Sequence, residues 1–273
     1  MKKTERVRAA LHGEALDRPP FSFWTHLPGI DLEWQRIAEE TAAFQRRFDL
    51  DFVKSMPNGF YCVEDWGAQL DFSGIAAGGV GQVTASPIET IDDWAGLQRV
   101  NVLEGAYGRE LKHLERLRAL LDDDVPILAT VFSPLTIAGK LSKDLHRKHL
   151  RESPAAVIAG LDRISEVTCA FVREAMARGC AGMFFALQEA AHAAFKPEEY
   201  ARWGEPHDRA VIAAACEAGG WFNVLHMHGD DVLFDQLARY DISALNWHIG
   251  ETPPSIADYR GSGGKRPIVG GLQ

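Results

Sequence analysis

Trp221-Phe-Asn-Val-Leu-His-Met-His-Gly229, with Asp230 and Asp231 behind it, reads as a buried strand that stops at a glycine and hands over to a helix. Successive side chains of a strand point to opposite faces. His226 and His228 therefore share one face, with Phe222 and Val224 behind them. Neutral imidazole is a ligand for zinc, copper, iron or nickel, so two imidazoles at the end of a core strand can chelate one metal ion. They can equally cap the strand and bond to loop carbonyls, and a histidine can serve as a proton shuttle.

Outward from this stretch the same pattern recurs. Short apolar runs at 21–24, 51–55, 125–131 and 181–186 precede it, and runs at 242–247 and 267–270 follow. Helical patterns over about 31–48, 104–121, 154–178, 197–218 and 232–239 separate most of them. Prolines open two of these helices, and Gly179 and Gly219 close two. Strands that are almost continuously apolar and alternate with helices indicate a parallel sheet with helices outside. Seven such repeats fit a (β/α)8 TIM-type barrel better than a doubly wound sheet. No glycine fingerprint follows the first strand, which counts against a dinucleotide-binding fold. An eighth strand and helix are not visible. The expectation is one α/β barrel domain over 1–273, C-terminally short and lacking its last β/α unit.

The net charge of −9 argues against a nucleic-acid binder and gives no basic patch for a membrane surface. Cys62, Cys169, Cys180 and Cys216 lie far apart, with neither CxxC spacing nor a disulfide framework. The first residues carry charge with no apolar stretch after them, so no signal peptide is expected, and no run approaches the ~20 apolar residues of a membrane span. A reduced, soluble, cytoplasmic protein is the default expectation.

In a barrel the chemistry sits in the loops that follow the strands. The polar residues there are His26, Lys54, Glu64, Asp65, Gln188, Glu189, His226, His228 and His248. This convergence favours an enzyme acting on a small molecule over a binding module. Glu64 and Asp65 are candidates for a general acid/base pair, with an acidic loop face as the alternative. Trp24, His26, Phe132, Gln188, Trp247 and His248 are candidates for lining the substrate pocket. The glycine-rich stretch from Met56 to Ser86 is too long for a plain connection and reads as functional or lid-like.

Several stretches in fixed order resemble the uroporphyrinogen decarboxylase superfamily, which also holds cobalamin- and coenzyme M-dependent methyltransferases. They are Arg6-Val-Arg-Ala-Ala-Leu-His-Gly-Glu14 with Asp17-Arg-Pro-Pro20, Val125-Pro-Ile with Phe132-Ser-Pro-Leu-Thr136, Ala244-Leu-Asn-Trp-His248, and Ile268-Val-Gly-Gly-Leu272. The resemblance covers essentially the whole chain and implies the barrel fold. Porphyrinogen decarboxylases hold substrate carboxylates with arginines after the first strand, and the loop Trp24-Thr-His-Leu-Pro-Gly-Ile30 has none. They also use an aspartate after the second strand, where this chain has Lys54-Ser55-Met56.

The methyltransferase branch activates a thiol on zinc, through a His-x-Cys pair after the fifth strand and a later cysteine. Here the pair is His226-x-His228, and Glu189 is a candidate oxygen ligand. The resemblance thus implies zinc on His226, His228 and Glu189. It also implies methyl transfer between a corrinoid carrier, held on a corrinoid protein, and a small acceptor such as a thiol. A tetrapyrrole carboxy-lyase and a non-catalytic tetrapyrrole- or corrinoid-binding barrel are the alternatives. A homodimer would cover the sheet edge that a missing strand exposes.

Overall fold

The structure is a computed structural model, and it describes residues 1–77 and 81–271. In chain order the helices are α1 (Lys3–His12), α2 (Trp34–Phe48), α3 (Tyr61–Glu64), α4 (Gly105–Leu120), α5 (Pro134–Ser142), α6 (His146–Glu152), α7 (Pro154–Ala177), α8 (Pro197–Trp203), α9 (Glu205–Glu217), α10 (Phe234–Leu237) and α11 (Ile256–Gly261). The strands are β1 (Val53–Lys54), β2 (Gln69–Asp71), β3 (Gln82–Ala85), β4 (Ile127–Phe132), β5 (Gly182–Leu187), β6 (Val224–Met227) and β7 (Ala244–Trp247). Five of them form a parallel sheet in the order β1-β4-β5-β6-β7. The remaining two, β2 and β3, pair antiparallel within the long stretch after β1. No described helix is long and apolar enough to cross a membrane.

Of the seven expected strands, two take a weaker form. Residues 21–24 are not a strand; Asp51 N–H donates to the Phe21 carbonyl at 2.9 Å, and the Ser22 hydroxyl donates to the Phe52 carbonyl at 2.7 Å. Residues 267–270 meet β7 at a single bridge, Leu245 to Ile268. The described residues therefore form an open five-stranded sheet with a segment lying along each edge, a partial TIM-type arrangement. They do not close a complete barrel.

Both faces of the sheet are covered, which explains the unbroken apolar runs of β4 and β5, buried at every position. On the inner face Phe52, Leu128, Phe184, Phe222, Val224 and Ala244 pack together. Alternate residues such as Ile127, Val131, Phe185, Leu225 and Leu245 face the other way, into the larger core. Each such side chain, fully buried, contributes ~1.5–3 kcal/mol from apolar area alone. Gly182 opens β5 because any side chain there would collide with the Phe222 carbonyl.

The N-terminal segment is fastened to β1 by charge. Asp51, fully buried, accepts from Arg6 at 2.6 Å, from Arg18 at 2.5 Å and from the Phe21 N–H at 2.8 Å. Burial works against its charge, but these donors outweigh it and hold the carboxyl below its usual range. Arg6 also grips Asp17, so the Arg6 and Asp17-Arg18 motifs seat residues 17–21 beside the sheet.

At the other end of β4, Ser133 caps α5 through its side chain, with Pro134 at the first helical position. Thr136 Oγ1 accepts from the Gln188 N–H at 2.9 Å, tying the loop after β5 to the start of α5. The C-terminal ends of β4 and β5 are thereby held in fixed relation.

Candidate metal centre at the strand ends

His226 lies on β6 in register with Asn246 on β7 and Ala186 on β5. Period two then places His228 and His248 one step further along the same face. The three imidazoles meet there. Ring centroids are 5.7 Å apart for His226 and His228, 5.7 Å for His226 and His248, and 5.1 Å for His228 and His248.

The tautomer of His226 follows from its neighbour. Asn246 donates its amide Nδ2 to the Val269 carbonyl at 2.6 Å, which turns its Oδ1 toward His226 Nδ1 at 2.5 Å. An oxygen accepts only, so His226 Nδ1 carries the hydrogen and Nε2 keeps its lone pair. Burial pushes the His226 pKa down to about 4, the Asn246 bond opposes, and His228, His248 and Lys54 lower it further. His228 is lowered as well, by burial first and then by His248 and Lys140. Both rings are neutral at pH 7, the state in which imidazole binds a metal.

The spacing can be tested against a metal. A zinc–nitrogen bond of ~2.0–2.1 Å puts a ring centroid ~3.2 Å from the ion, and tetrahedral ligands then stand ~5.2 Å apart, centroid to centroid. The three observed separations bracket that value. Among the described residues these histidines do not present one nitrogen each within 4.8 Å of the others, so binding takes rotation of at least one ring. The donor set and spacing fit a divalent ion of the zinc type.

The other expected residues divide between this site and the framework. Trp24, half-buried, stands edge-on to Phe184 at 5.2 Å, and Phe184 lies 4.8 Å from His226. Trp24, His226, Asn246 and His248 line one open cleft of about 1280 Å³ between residues 20–24 and 267–271. His26 is lowered below its ordinary pKa by burial and by Lys54. Phe132 is buried with Lys140 Nζ 4.3 Å above its ring. Gln188 is half-buried in the loop after β5. Trp247 packs on Phe234 and Tyr259 and donates to the Pro254 carbonyl at 2.9 Å.

The carboxylates go elsewhere. Glu189 accepts two bonds from Arg147, at 2.8 and 2.9 Å, and pairs with His146 Nε2 at 3.0 Å. In this arrangement His248, and not Glu189, stands beside His226 and His228. Glu64 receives both guanidinium nitrogens of Arg109, at 3.1 and 2.5 Å. Asp65 accepts from the Ala106 and Tyr107 N–H groups at 2.9 and 3.0 Å, capping α4. At Gly105, whose φ is +56°, a side chain would collide with the Asp65 carboxylate. Neither oxygen of Asp65 is free in the way a general base requires.

The sequence reading did not single out Asn246, although it shares the period of His248 and sits in a quoted motif. It placed Lys54 among the polar residues at the strand ends without its burial over aromatic rings, and it did not single out Lys140, half-buried over Phe132; only the packing reveals these.

An open parallel α/β sheet carrying its polar groups at the C-terminal strand ends is the arrangement of barrel-type enzymes. The family profile described as Uroporphyrinogen decarboxylase (URO-D) matches residues 2–273, and the chain belongs to that family. No curated protein matches it. Among solved structures it is similar to a methyltransferase from Methanosarcina mazei, with a TM-score of 0.74 and 19% identity, over 90% of this chain and 75% of that one.

Proposed function

We propose that the chain is an enzyme, a metal-dependent methyltransferase that moves a methyl group between a corrinoid carrier and a small acceptor such as a thiol. The observation that carries this reading is the cluster of three imidazoles, His226, His228 and His248, at metal-compatible spacing on two adjacent strand ends. Zinc held there would supply Lewis acidity that keeps an acceptor thiol as its nucleophilic thiolate.

The chain's own residues set the conditions. Asn246 fixes His226 with its Nε2 lone pair available. Trp24 and Phe184 form an apolar wall beside it. Lys140 brings a nearby cation, a field that favours an anionic acceptor. That same lysine favours a second reading, a carboxy-lyase acting on a carboxylated substrate.

Elemental analysis after zinc reconstitution tests the first reading. About one zinc per chain, lost in the His226→Ala/His228→Ala variant, is the expected result, with thiol methylation as the next assay. A folded wild-type protein that retains little zinc overturns it. Carboxylate release without zinc would then support the second reading.

A further inference from the structure

Lys54 ends β1 on the inner face of the sheet, and only 8% of it is exposed. Its ammonium finds no carboxylate among the described residues within ion-pair distance; its polar contacts are Met56 Sδ at 2.9 Å and the Ser55 carbonyl at 3.5 Å. Aromatic faces surround it instead, with Nζ 4.8 Å from the Phe184 ring centre and 5.4 Å from that of Trp24. A charged amine in such a place is poorly solvated, and its charge is offset by two ring faces and by no acid. A structural lysine on an aromatic surface normally keeps its head in water or on an acid, and this one has neither.

The titratable groups that face it add no negative charge. His26, from the loop after residue 24, and His226, from β6, both feel Lys54 electrostatically and are both held neutral. Trp24, one wall of the amine, also lines the open cleft, so the wall separates Lys54 from a space large enough for a small molecule.

We infer that Lys54 is a reactive amine that forms an imine with a small aldehyde or ketone entering from the cleft past Trp24. The Nζ lone pair attacks the carbonyl carbon and a C–N bond forms. The carbonyl oxygen takes up the two nitrogen-bound protons and leaves as water, giving a neutral C=N bond. No oxidant or reductant is consumed. Burial lowers the Lys54 pKa to about 7, so the nucleophilic neutral form is populated near neutrality. Desolvated lysines use this route to Schiff-base chemistry. The inference does not depend on the metal reading, since neither amine nor carbonyl requires the ion.

Lys140 provides an internal control. It is half-buried over aromatic rings, and its Nζ donates to the Gly59 carbonyl at 3.0 Å. The experiment treats zinc-stripped and zinc-loaded protein at pH 7 with low acetaldehyde and cyanoborohydride, which reduces any imine to an ethylamine. Peptide mass spectrometry then gives the rate at each lysine. Lys54 should be labelled at least ~10-fold faster than the exposed lysines and faster than Lys140, with a rate that rises through a midpoint near pH 7. Lys54→Arg, folded by circular dichroism, should lose the fast label. Labelling of Lys54 no faster than the exposed lysines, in both metal states, overturns the inference. Zinc content is read separately, so failure of the metal reading and failure of this one are distinct results.

Discussion

Asp144, His146 and Glu189 hold their ligand atoms within 4.8 Å of one another, whereas the rings of His226, His228 and His248 stand 5.1 to 5.7 Å apart and converge less tightly. By distance alone the first group is the better metal site. By charge it is the worse one. Arg147 already neutralises Glu189 with two parallel bonds, and His146 adds a third. A cation placed there would meet a guanidinium. Among the described residues His226 and His228 have no acid and no arginine bonded to them, and their neutral state leaves lone pairs unused; His248 stands 3.7 Å from the exposed Glu251 carboxylate. The difference teaches that the residues to look for are those whose bonding capacity is unfilled, more than those that are merely close.

The largest effect separating the two clusters lies in stability. Removing one partner of a partly buried, hydrogen-bonded charge pair costs about 1–3 kcal/mol. Glu189→Ala takes the partner from Arg147 and His146 and should lower the unfolding free energy by about that much in urea titration, with zinc content unchanged. His228→Ala, at a more exposed position, should cost well under half of that and abolish zinc retention. Zinc lost with Glu189→Ala in a still-folded protein would reverse the assignment of the two clusters.

Second in size is an effect through a residue that touches no metal. Groups that orient a ligating histidine typically change metal affinity by ~10–100-fold. Asn246→Ala should weaken zinc by that factor, measured by competition with a chromophoric chelator, because His226 loses the bond that fixes its tautomer. Asn246→Asp keeps an acceptor toward His226 Nδ1 and should recover most of the loss. Equal affinity in wild type and Asn246→Ala would mean that His226 is not a ligand.

The same contrast explains what could be read without coordinates. The strands at 127–132, 182–187, 224–227 and 244–247 announce themselves because both faces are largely buried and, apart from Thr130, His226 and Asn246 on the inner face, their residues are apolar or small. Residues 21–24 look just as apolar, yet Phe21 and Phe23 are exposed and the segment has a partner on one side only. Composition reports burial, and here burial is absent. Within the site, His226, His228 and His248 were legible because a strand's two-residue period is local information. The fate of Glu189 was not, since its partners His146 and Arg147 arrive from the start of α6, some forty residues away in sequence. Glu64 and Asp65 mislead for the same reason: adjacent acids look like a catalytic pair until α4, some forty residues on, supplies Arg109 and two N–H groups.

The smallest expected effect is a tilt in stability with pH, and it sets an open site against a closed one in metal-free protein. His226 belongs to the open cluster, and its folded pKa of about 4 lies below the ordinary 6.5. Between those values the unfolded chain binds the proton and the fold does not, so this group makes stability rise as pH goes from about 4 to 6.5. Asp208 belongs to a closed site, fully buried, accepting from Tyr200 at 2.7 Å and Tyr240 at 2.9 Å. Burial raises its pKa to about 7 against those two bonds. Here the fold binds the proton first, so stability falls as pH rises from about 4 to 7. Each slope is at most ~1.4 kcal/mol per pH unit, and in wild type the two oppose each other. Asp208→Asn, which mimics the protonated acid, removes the fall and should make stability rise more steeply with pH. His226→Asn removes the rise and should tilt the curve the other way. Urea midpoints at pH 5 and pH 6.5 read both, and variants that tilt in the same direction would show that the two groups do not differ in the way their surroundings require.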